Sequence, residues 1–280
     1  LEMGISDFGE MARLTKIAKP DTCVITNIGT CHLENLGDRD GVLKAKTEIF
    51  QSMKPNGHIV LNGDDDKLIT VREYNGVKPV FFGLNSERDV YADQIESKGL
   101  KGVACRIHLG EDAFDVLVPT PGIHMVYNAL AAAAVGRIYG LTIEEIRRGI
   151  ESLETIRGRF KMIETDKFLV VDDCYNANPV SMMASIDVLS QAKGRKIAVL
   201  GDMGELGSEE KKLHGMVGTH FAGKKIDALF VTGTLAGEIA EEARRVAPET
   251  RVYAEPDKEA LEEALLEYRR PGDTILVKAS

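Results

Sequence analysis

The sequence predicts an α/β protein whose second half forms a doubly wound, mostly parallel sheet. From about Glu154 onward, short apolar runs alternate with amphipathic segments of helix length. The runs predict strands at 168–172, 197–201, 228–232, 252–254 and 274–277, and the segments between them predict helices at 179–193, 208–223, 235–247 and 257–268. Buried strands that alternate with helices form parallel sheets covered on both faces, and right-handed crossovers make such a sheet doubly wound, as in Rossmann-like domains.

The first half has a mixed pattern of strands and helices. Strands are predicted at 23–27 and 59–62, a helix at 40–53, and several strands joined by turns within 77–119. An Ala-rich helix is predicted at 124–139. Because this helix is apolar nearly all round, we expect it to be buried.

A second helix follows, and the domain boundary comes after it. Thr142 stands at the position of a helix N-cap, with acidic residues in the first turn behind it. We expect a hinge within 153–159, which divides the chain into domains 1–156 and 157–280.

The charge balance excludes broad binding to nucleic acid or to anionic membranes. The formal net charge of the 280 residues is −9, and no run of basic residues forms a positive patch, which both partners require. No apolar run approaches the roughly 20 residues of a membrane span, so no membrane insertion is expected. The cysteines form no C-x-x-C pair, and we expect reduced thiols in a cytoplasmic protein at Cys23, Cys31, Cys105 and Cys174.

Both ends of the chain look like cuts through ordered structure. The chain opens at Leu1 without an initiator methionine, and it stops at Ser280 directly after an apolar strand. We therefore expect a fragment of a longer protein.

A lysine interrupts the apolar face of the helix predicted at 40–53. At 100° per residue Lys46 falls within that face, whereas Lys44 and Glu48 point to the opposite side. The apolar members of the face are Val42, Leu43, Ile49, Phe50 and Met53. An unpaired ammonium there would be costly. Either Lys46 extends its ammonium to the rim, or it faces a polar site where it is paired or chemically modified.

Glu2, His32 and Glu34 lie near the carboxyl ends of predicted strands, where ligands bind in open α/β sheets. Carboxylate oxygens suit Mg²⁺, whereas imidazole is a less usual ligand for so hard an ion. Taken alone, His32 is better explained as a surface or capping histidine.

Polar residues also follow the first strand of the second half. Asn178 has the position of a helix N-cap and Pro179 that of the first helical residue, so the cap explains Asn178 structurally. The remaining polar groups stand at the strand's carboxyl end, which is the binding side. They are Asp172, Asp173, Tyr175 and Asn176.

The turn at 201–207 argues against a nicotinamide cofactor. Its glycines are spaced G-x-x-G-x-x-G and not G-x-G-x-x-G, and Asp202 and Glu205 would repel a pyrophosphate. The neutral interpretation is a strand-to-helix turn capped by Ser208. This chain contains no G-x-x-x-x-G-K-[ST] phosphate loop, no G-x-S-x-G elbow and no H-E-x-x-H motif.

Several motifs, in order along the chain, resemble the central ATPase domain of the Mur ligases. They are E-M-G at 2–4, F-G-E at 8–10, I-T-N-I-G-T-C-H-L-E-N-L-G at 25–37, K-A-K-T-E-I at 44–49 and G-I-H-M-V-Y-N-A-L-A-A at 122–132. D-C-Y-N-A-N-P at 173–179, with Ser181 and Met182, is typical of the family branch that adds D-alanyl-D-alanine. The resemblance spans nearly the whole chain. It implies a partial central ATP-binding ligase domain followed by the family's Rossmann-like ligase domain.

The resemblance implies roles on both sides of the expected hinge. Glu2 and His32 match magnesium-site residues of the family, and Lys46 matches its carbamylated lysine, whose negative charge helps to position Mg²⁺. Asn128 matches an adenine contact, although Met125 stands where relatives often carry a second asparagine.

The second domain is implied to supply nucleotide and substrate contacts. Arg159 and Asp173 match residues that contact the nucleotide. Tyr175 and Asn176 would lie where the nucleotide and the incoming dipeptide meet, and Asn178 would lie near the dipeptide. The residues expected to act in catalysis are Lys46, His32 and Arg159.

The implied reaction is ATP-dependent amide-bond formation in peptidoglycan synthesis. ATP and Mg²⁺ would convert the carboxylate of a UDP-N-acetylmuramoyl-tripeptide to an acyl phosphate, which the amine of D-alanyl-D-alanine attacks. These two substrates are the expected partners of the protein. We expect the protein itself to be a monomer. The family's substrate-binding domain and phosphate loop should precede Leu1, so we expect this chain alone to be inactive.

Two alternatives stay open. The first is another ligase of the superfamily, of the folylpolyglutamate or cyanophycin synthetase type. The second is a nucleotide-binding module without catalytic activity.

Overall fold

The computed structural model describes residues 1–30 and 32–280, which form two compact units, Leu1–Leu153 and Glu154–Ser280. The units divide at the start of the segment predicted as a hinge, 153–159. Within the described residues, no helix is long and apolar enough to cross a membrane.

The described cysteines are all free thiols. They are Cys23, Cys105 and Cys174, of which the first two are buried. The remaining cysteine of the sequence, Cys31, lies outside the described residues.

The first unit is built on one sheet with helices on both faces. Its strands are β1 (Thr22–Ile25), β2 (His58–Asn62), β3 (Val80–Gly83), β4 (Val90–Ser97), β5 (Val103–Leu109) and β6 (Asp112–Val118). Its helices are α1 (Glu10–Ala18), α2 (Leu33–Leu36), α3 (Arg39–Thr47), α4 (Ile123–Ile138) and α5 (Ile143–Glu151). The six strands follow in chain order; β1 to β4 are parallel, and β4 to β6 are antiparallel.

Side chains of β2 alternate between two hydrophobic clusters, one on each face of the sheet. Val60 packs with residues of α4 and α5. Its neighbours Ile59 and Leu61 pack with residues of α1 and α3. The burial predicted for α4 from its apolar sequence holds for seven of its sixteen residues, whereas five, among them Ile123 and Asn128, are exposed. The predicted start of α5 is also confirmed, because Thr142 and Glu145 form a reciprocal capping box.

The second unit is a second α/β sheet. Its strands are β7 (Lys161–Glu164), β8 (Leu169–Asp172), β9 (Lys196–Leu200), β10 (Ala228–Thr232), β11 (Arg251–Glu255) and β12 (Thr274–Lys278). Its helices are α6 (Pro179–Ser190), α7 (Glu210–Ala222), α8 (Ala236–Val246) and α9 (Lys258–Tyr268). The six-stranded order is β11-β10-β9-β12-β8-β7, and only β7 runs antiparallel to its neighbour.

The strand order confirms the doubly wound sheet. The chain moves from β8 to β9, β10 and β11 in one direction, so right-handed crossovers bring α6, α7 and α8 to one face. It then returns to β12 through α9, which packs on the opposite face against Ile197, Phe230 and Ile275. β12 therefore lies in the middle of the sheet, between β9 and β8.

The helices α7 and α8 approach each other closely at Gly218, which generates a stability prediction. A Cβ at Gly218 would lie 2.3 Å from the Ile239 carbonyl oxygen, whereas at Gly215 it would lie 3.1 Å from the flexible Glu242 side chain. Gly218→Ala should lower the free energy of unfolding by about 1–3 kcal/mol, because the backbone must shift. Gly215→Ala is the matched control and should be neutral or stabilising by up to about 1 kcal/mol. Equal urea midpoints for the two variants would contradict this packing.

Candidate active site

The loop after β1 is fixed by side chains from two other segments. Asp65, beyond β2, accepts the amide of Ile28 at 2.8 Å, and Arg39 of α3 donates to the carbonyl of Ile28 at 3.0 Å. The peptide groups on both sides of Ile28 are thereby held at the carboxyl end of β1. In an open α/β sheet this is the edge where ligands bind.

Lys46 reaches the same loop from the last turn of α3. Its side chain is half-buried, and its ammonium donates to the carbonyl of Asn27 at 2.8 Å. Lys44 is exposed, with its ammonium 5.4 Å from the centre of the Phe8 ring. The two lysines therefore have different surroundings, and Lys46 is the one directed at the loop.

Glu48, predicted to lie on the same side of the helix as Lys44, contacts the start of α1. Its carboxylate is half-buried and accepts the amides of Gly9 at 3.0 Å and Ala12 at 3.2 Å. These amides belong to the start of α1, where Gly9 has no side chain to cap the helix. A carboxylate from another segment supplies the missing acceptor.

The other residues predicted to bind magnesium are His32, which is half-buried, and Glu2, which is exposed. His32 has a φ of 56°, in the left-handed region, and immediately precedes α2. Across residues 1–30 and 32–280, no group of three His, Cys, Asp or Glu side chains is arranged to hold a metal. Magnesium often takes only one or two protein carboxylates and completes its shell with water and phosphate oxygens. The magnesium site therefore stays a prediction.

Asn128 lies on the exposed surface of α4, near its start, and its amide donates to the sulfur of Met125 at 3.5 Å. The preceding residue, Tyr127, donates its hydroxyl to Asp64 at 3.1 Å, and Arg88 donates to the same carboxylate at 3.1 Å. Burial, followed by the nearby Asp64 charge, raises the pKa of Tyr127 to about 12. This network ties the helix turn that carries Asn128 to the carboxyl end of β2.

In the second unit, the carboxylate of Asp173 is engaged within the protein. One oxygen accepts the amide of Phe160 at 3.0 Å. The other accepts the hydroxyl of Ser185 and the ammonium of Lys278, each at 2.7 Å. The first oxygen keeps a second acceptor site, and a direct nucleotide contact by Asp173 stays a prediction.

Arg159 is held beside the loop that follows β8. Its guanidinium carbon lies 4.0 Å from the centre of the Tyr175 ring, a cation–π arrangement. The Tyr175 amide donates to the carbonyl of Gly158 at 2.9 Å, and the Gly158 amide donates to Asp172 at 3.2 Å. Gly158 has a φ of 78°, which favours glycine at this close contact. Because Arg159 is half-buried and Tyr175 exposed, the pair presents a cation and an aromatic surface at the edge of the unit.

The two asparagines of the loop use their side-chain oxygens locally. Asn178 accepts the amide of Ser181 at 2.9 Å, which confirms it as the N-cap of α6. Asn176 accepts the amide of Ala177 at 2.7 Å and the hydroxyl of Ser280 at 3.1 Å. These bonds shape the loop, and the substrate contacts expected of both residues stay predictions.

The predicted site residues fall into two groups, one on each unit. The first unit carries Glu2, His32, Lys46 and Asn128, and the second carries Arg159, Asp173, Tyr175, Asn176 and Asn178. In the second unit the fold brings the whole predicted group together around the loop after β8.

The glycine-rich turn after β9 has a structural role. Asp202 accepts backbone amides at the start of α8 at 2.7–2.9 Å, from Thr234, Leu235 and Ala236. The expected cap by Ser208 is wrong. A 3₁₀ turn, Gly207–Glu209, comes first, and α7 begins at Glu210 without a side-chain cap.

Three residues that support the second-unit loop were not predicted from the sequence, namely Ser185, Lys278 and Ser280. The Ser280 hydroxyl accepts the amide of Ala177 at 3.0 Å, and Ser185 and Lys278 bind Asp173. Lys278 could have been found from the sequence, because a charged residue at the end of a buried apolar strand needs a partner.

The chain belongs to the Mur ligase family. Residues 1–136 match the model of the Mur ligase middle domain, and residues 158–280 match the model of the Mur ligase glutamate ligase domain. The expected resemblance and the mixed α/β fold are thereby confirmed.

Within this family, the chain is similar to the D-alanyl-D-alanine-adding enzymes. The UDP-N-acetylmuramoyl-tripeptide–D-alanyl-D-alanine ligase of Bacillus subtilis is 37% identical over 283 residues, covering 100% of this chain and 61% of the relative. A crystal structure of MurF from Acinetobacter baumannii has a TM-score of 0.88 and 32% identity, covering 100% of this chain and 61% of that one. The MurF ligase of Thermotoga maritima in complex with ADP has a TM-score of 0.83 and 30% identity, covering 100% and 63%. This chain therefore spans about three fifths of the length of these relatives.

The raised pKa of Tyr127 predicts a loss of stability at high pH. An unfolded tyrosine ionises near pH 10, whereas Tyr127 in the folded protein stays protonated up to about 12. The unfolded state loses its proton first, so the free energy of unfolding should fall between about pH 10 and pH 12. In Tyr127→Phe this fall should be smaller, as measured by urea unfolding at several pH values in that range.

Two buried thiols affect the same measurement. Burial raises the pKa of Cys23 and of Cys105 to about 11 each, and both groups titrate in the variant as well. Only the difference between the parent chain and Tyr127→Phe is therefore informative. An identical pH dependence of the two proteins would contradict the assignment.

Proposed function

We propose that this chain is part of an ATP-dependent amide ligase that joins D-alanyl-D-alanine to a UDP-N-acetylmuramoyl-tripeptide in peptidoglycan synthesis. The observation that carries the proposal is the agreement of the whole chain, in sequence and fold, with ligases of that name. Because the chain spans 61% of the Bacillus subtilis relative, the proposal concerns the protein that contains it. A cytoplasmic, monomeric enzyme remains our expectation.

Each unit carries residues that we expect to contact the nucleotide. Arg159 supplies a cation suited to phosphate oxygens, and it is already oriented by the Tyr175 ring. Asn128, on the surface of α4, would contact the adenine, and Asn176 would lie where the nucleotide and the dipeptide meet. The ADP complex of the Thermotoga maritima relative supports a nucleotide in this family branch.

Magnesium would be held by Glu2, His32 and a modified Lys46. A protonated lysine has no lone pair for a cation, whereas a carbamate on Nζ would offer the oxygen ligands that Mg²⁺ prefers. The observed environment of Lys46 fits this modification, because a carbamate keeps an N–H that can still donate to the carbonyl of Asn27. When bound, Mg²⁺ would neutralise charge on the transferred phosphoryl group.

The protein's part in such a reaction is positioning and charge neutralisation. Arg159 would offset negative charge on the phosphates as the acyl phosphate forms. The loop 173–178 would hold the dipeptide so that its amine meets the acyl carbon. Excluding water around that loop would protect the acyl phosphate from hydrolysis.

The proposal is tested by phosphate release from ATP, assayed with the full-length protein and purified substrates. Release should require both the UDP-N-acetylmuramoyl-tripeptide and D-alanyl-D-alanine, and a ligated product should appear by mass spectrometry. Release that instead follows a folate or a poly-amino-acid acceptor would favour the other ligases of the superfamily. ATP binding without turnover under any of these conditions would favour a non-catalytic module.

Lys46→Ala in the full-length enzyme should reduce ligation by at least about 100-fold, since the cation site loses a ligand. Small carboxylates added to the assay should restore part of the activity by supplying the missing oxygens. Lys44→Ala is the matched control, because it removes an exposed lysine from the same helix and should keep near-parental activity. Full activity of Lys46→Ala would refute the magnesium-positioning role.

A further inference from the structure

Lys278, the last residue of β12, is a lysine buried inside the second unit. Only 2% of its surface is exposed. Its ammonium donates to the carboxylate of Asp173 at 2.7 Å, to the carbonyl of Asn176 at 3.0 Å and to the carbonyl of Asp173 at 3.4 Å. An ammonium has three hydrogens to donate, so these acceptors account for all of them. The Lys278 ammonium is therefore hydrogen-bonded entirely to the loop 173–176.

The Asp173 carboxylate is also hydrogen-bonded within the protein, through both of its oxygens. Besides Lys278, Asp173 accepts the hydroxyl of Ser185, which is 4% exposed, and the amide of Phe160. The Asp173 side chain itself is 15% exposed. The pair is therefore largely desolvated, and both Asp173 oxygens and all three Lys278 donors are hydrogen-bonded, which favours a fixed geometry.

The ion pair between Lys278 and Asp173 holds the backbone next to Arg159. The Phe160 amide, directly after Arg159, is bound by Asp173, while the Gly158 amide, directly before it, is bound by Asp172. The Arg159 side chain lies over the Tyr175 ring. Its backbone is thus fixed on both sides by the acids that end β8.

Stability alone gives a weak reason for such a pair. Removing two charges from water is costly, and well-packed apolar side chains of similar volume often stabilise a protein as much or more. What an apolar replacement cannot do is bind the Phe160 amide and the Asn176 carbonyl at once. The contacts of the pair point to a role in placing this loop.

We propose that Lys278 is a positioning residue. Through Asp173 it places Arg159 and the loop 173–176 in the geometry the reaction uses. The catalytic part of the inference rests on the proposed ligase function, whereas the placement of the loop does not.

The placement is tested without any activity, by hydrogen exchange on the full-length protein. Lys278→Met should raise the exchange rates of the Phe160 and Tyr175 amides by at least about tenfold, since local opening costs less free energy. Amides of α7 and α8 should be unchanged. Lys258→Met, at an exposed lysine of α9, is the control and should leave all these rates unaltered. Unchanged protection of Phe160 and Tyr175 in Lys278→Met would overturn the proposal.

Further variants separate placement from unfolding. Lys278→Met leaves a buried carboxylate unpaired, whereas Lys278→Met with Asp173→Asn removes both charges, so the double variant should unfold at higher temperature than Lys278→Met. If Lys278→Met does not fold, Ser185→Ala removes one hydrogen bond from Asp173 and gives the same exchange test with a smaller expected change. Parental exchange in a folded Ser185→Ala and in the folded double variant would overturn the inference.

The catalytic part is tested by a double-mutant cycle with Arg159. Lys278→Met should lower kcat of the full-length ligase by about 10- to 100-fold, as expected when a catalytic group is misplaced. In an Arg159→Ala background the same change should lower kcat by less than about threefold, because the group it places is gone. Effects that multiply independently would refute positioning through Arg159. A parental enzyme without dipeptide-dependent turnover would refute the proposed function and leave the exchange result standing.

Discussion

Aspartates at the carboxyl ends of strands hold neighbouring backbone segments in both units. Asp65, Asp173 and Asp202 each accept backbone amides from a segment other than their own. Amides beyond the last ladder bond of a sheet still need acceptors, and a carboxylate can accept several at once. These contacts hold Ile28, beside the carbonyl that Lys46 binds, in the first unit and Phe160, next to Arg159, in the second.

The same contacts separate charges that support the fold from charges that can meet a ligand. Asp173 and Lys278 neutralise each other in the interior, whereas Arg159 and Tyr175 reach the surface above them. Phosphoryl transfer depends on charges that are already in place before the substrate arrives. A hydrogen-bonded support beside a partly exposed arginine suits the proposed ligase chemistry.

Apolar periodicity predicted most of the fold, because burial leaves a local pattern in the sequence. Every strand predicted in the second half is present within one or two residues of its expected bounds. Of the missed elements, the strand β7 lacks that pattern, whereas the helix α1 begins after a glycine that gives no capping signal. The strand β7 has only exposed residues and exists through pairing with β8. The helix α1 is capped by Glu48, which lies far away in the sequence.

The sequence by itself determined the family and the α/β class, since motifs and strand patterns are local features. It also indicated that Lys46 is unusual. Only the tertiary structure decided which charged side chains are bound by other groups of the protein. Glu48 caps a remote helix, Asp202 caps α8, and Asp173 is bound by Lys278, from the opposite end of the second unit's sequence. The physical reason is that a charged side chain takes its role from its partners, and partners distant along the chain meet only after folding.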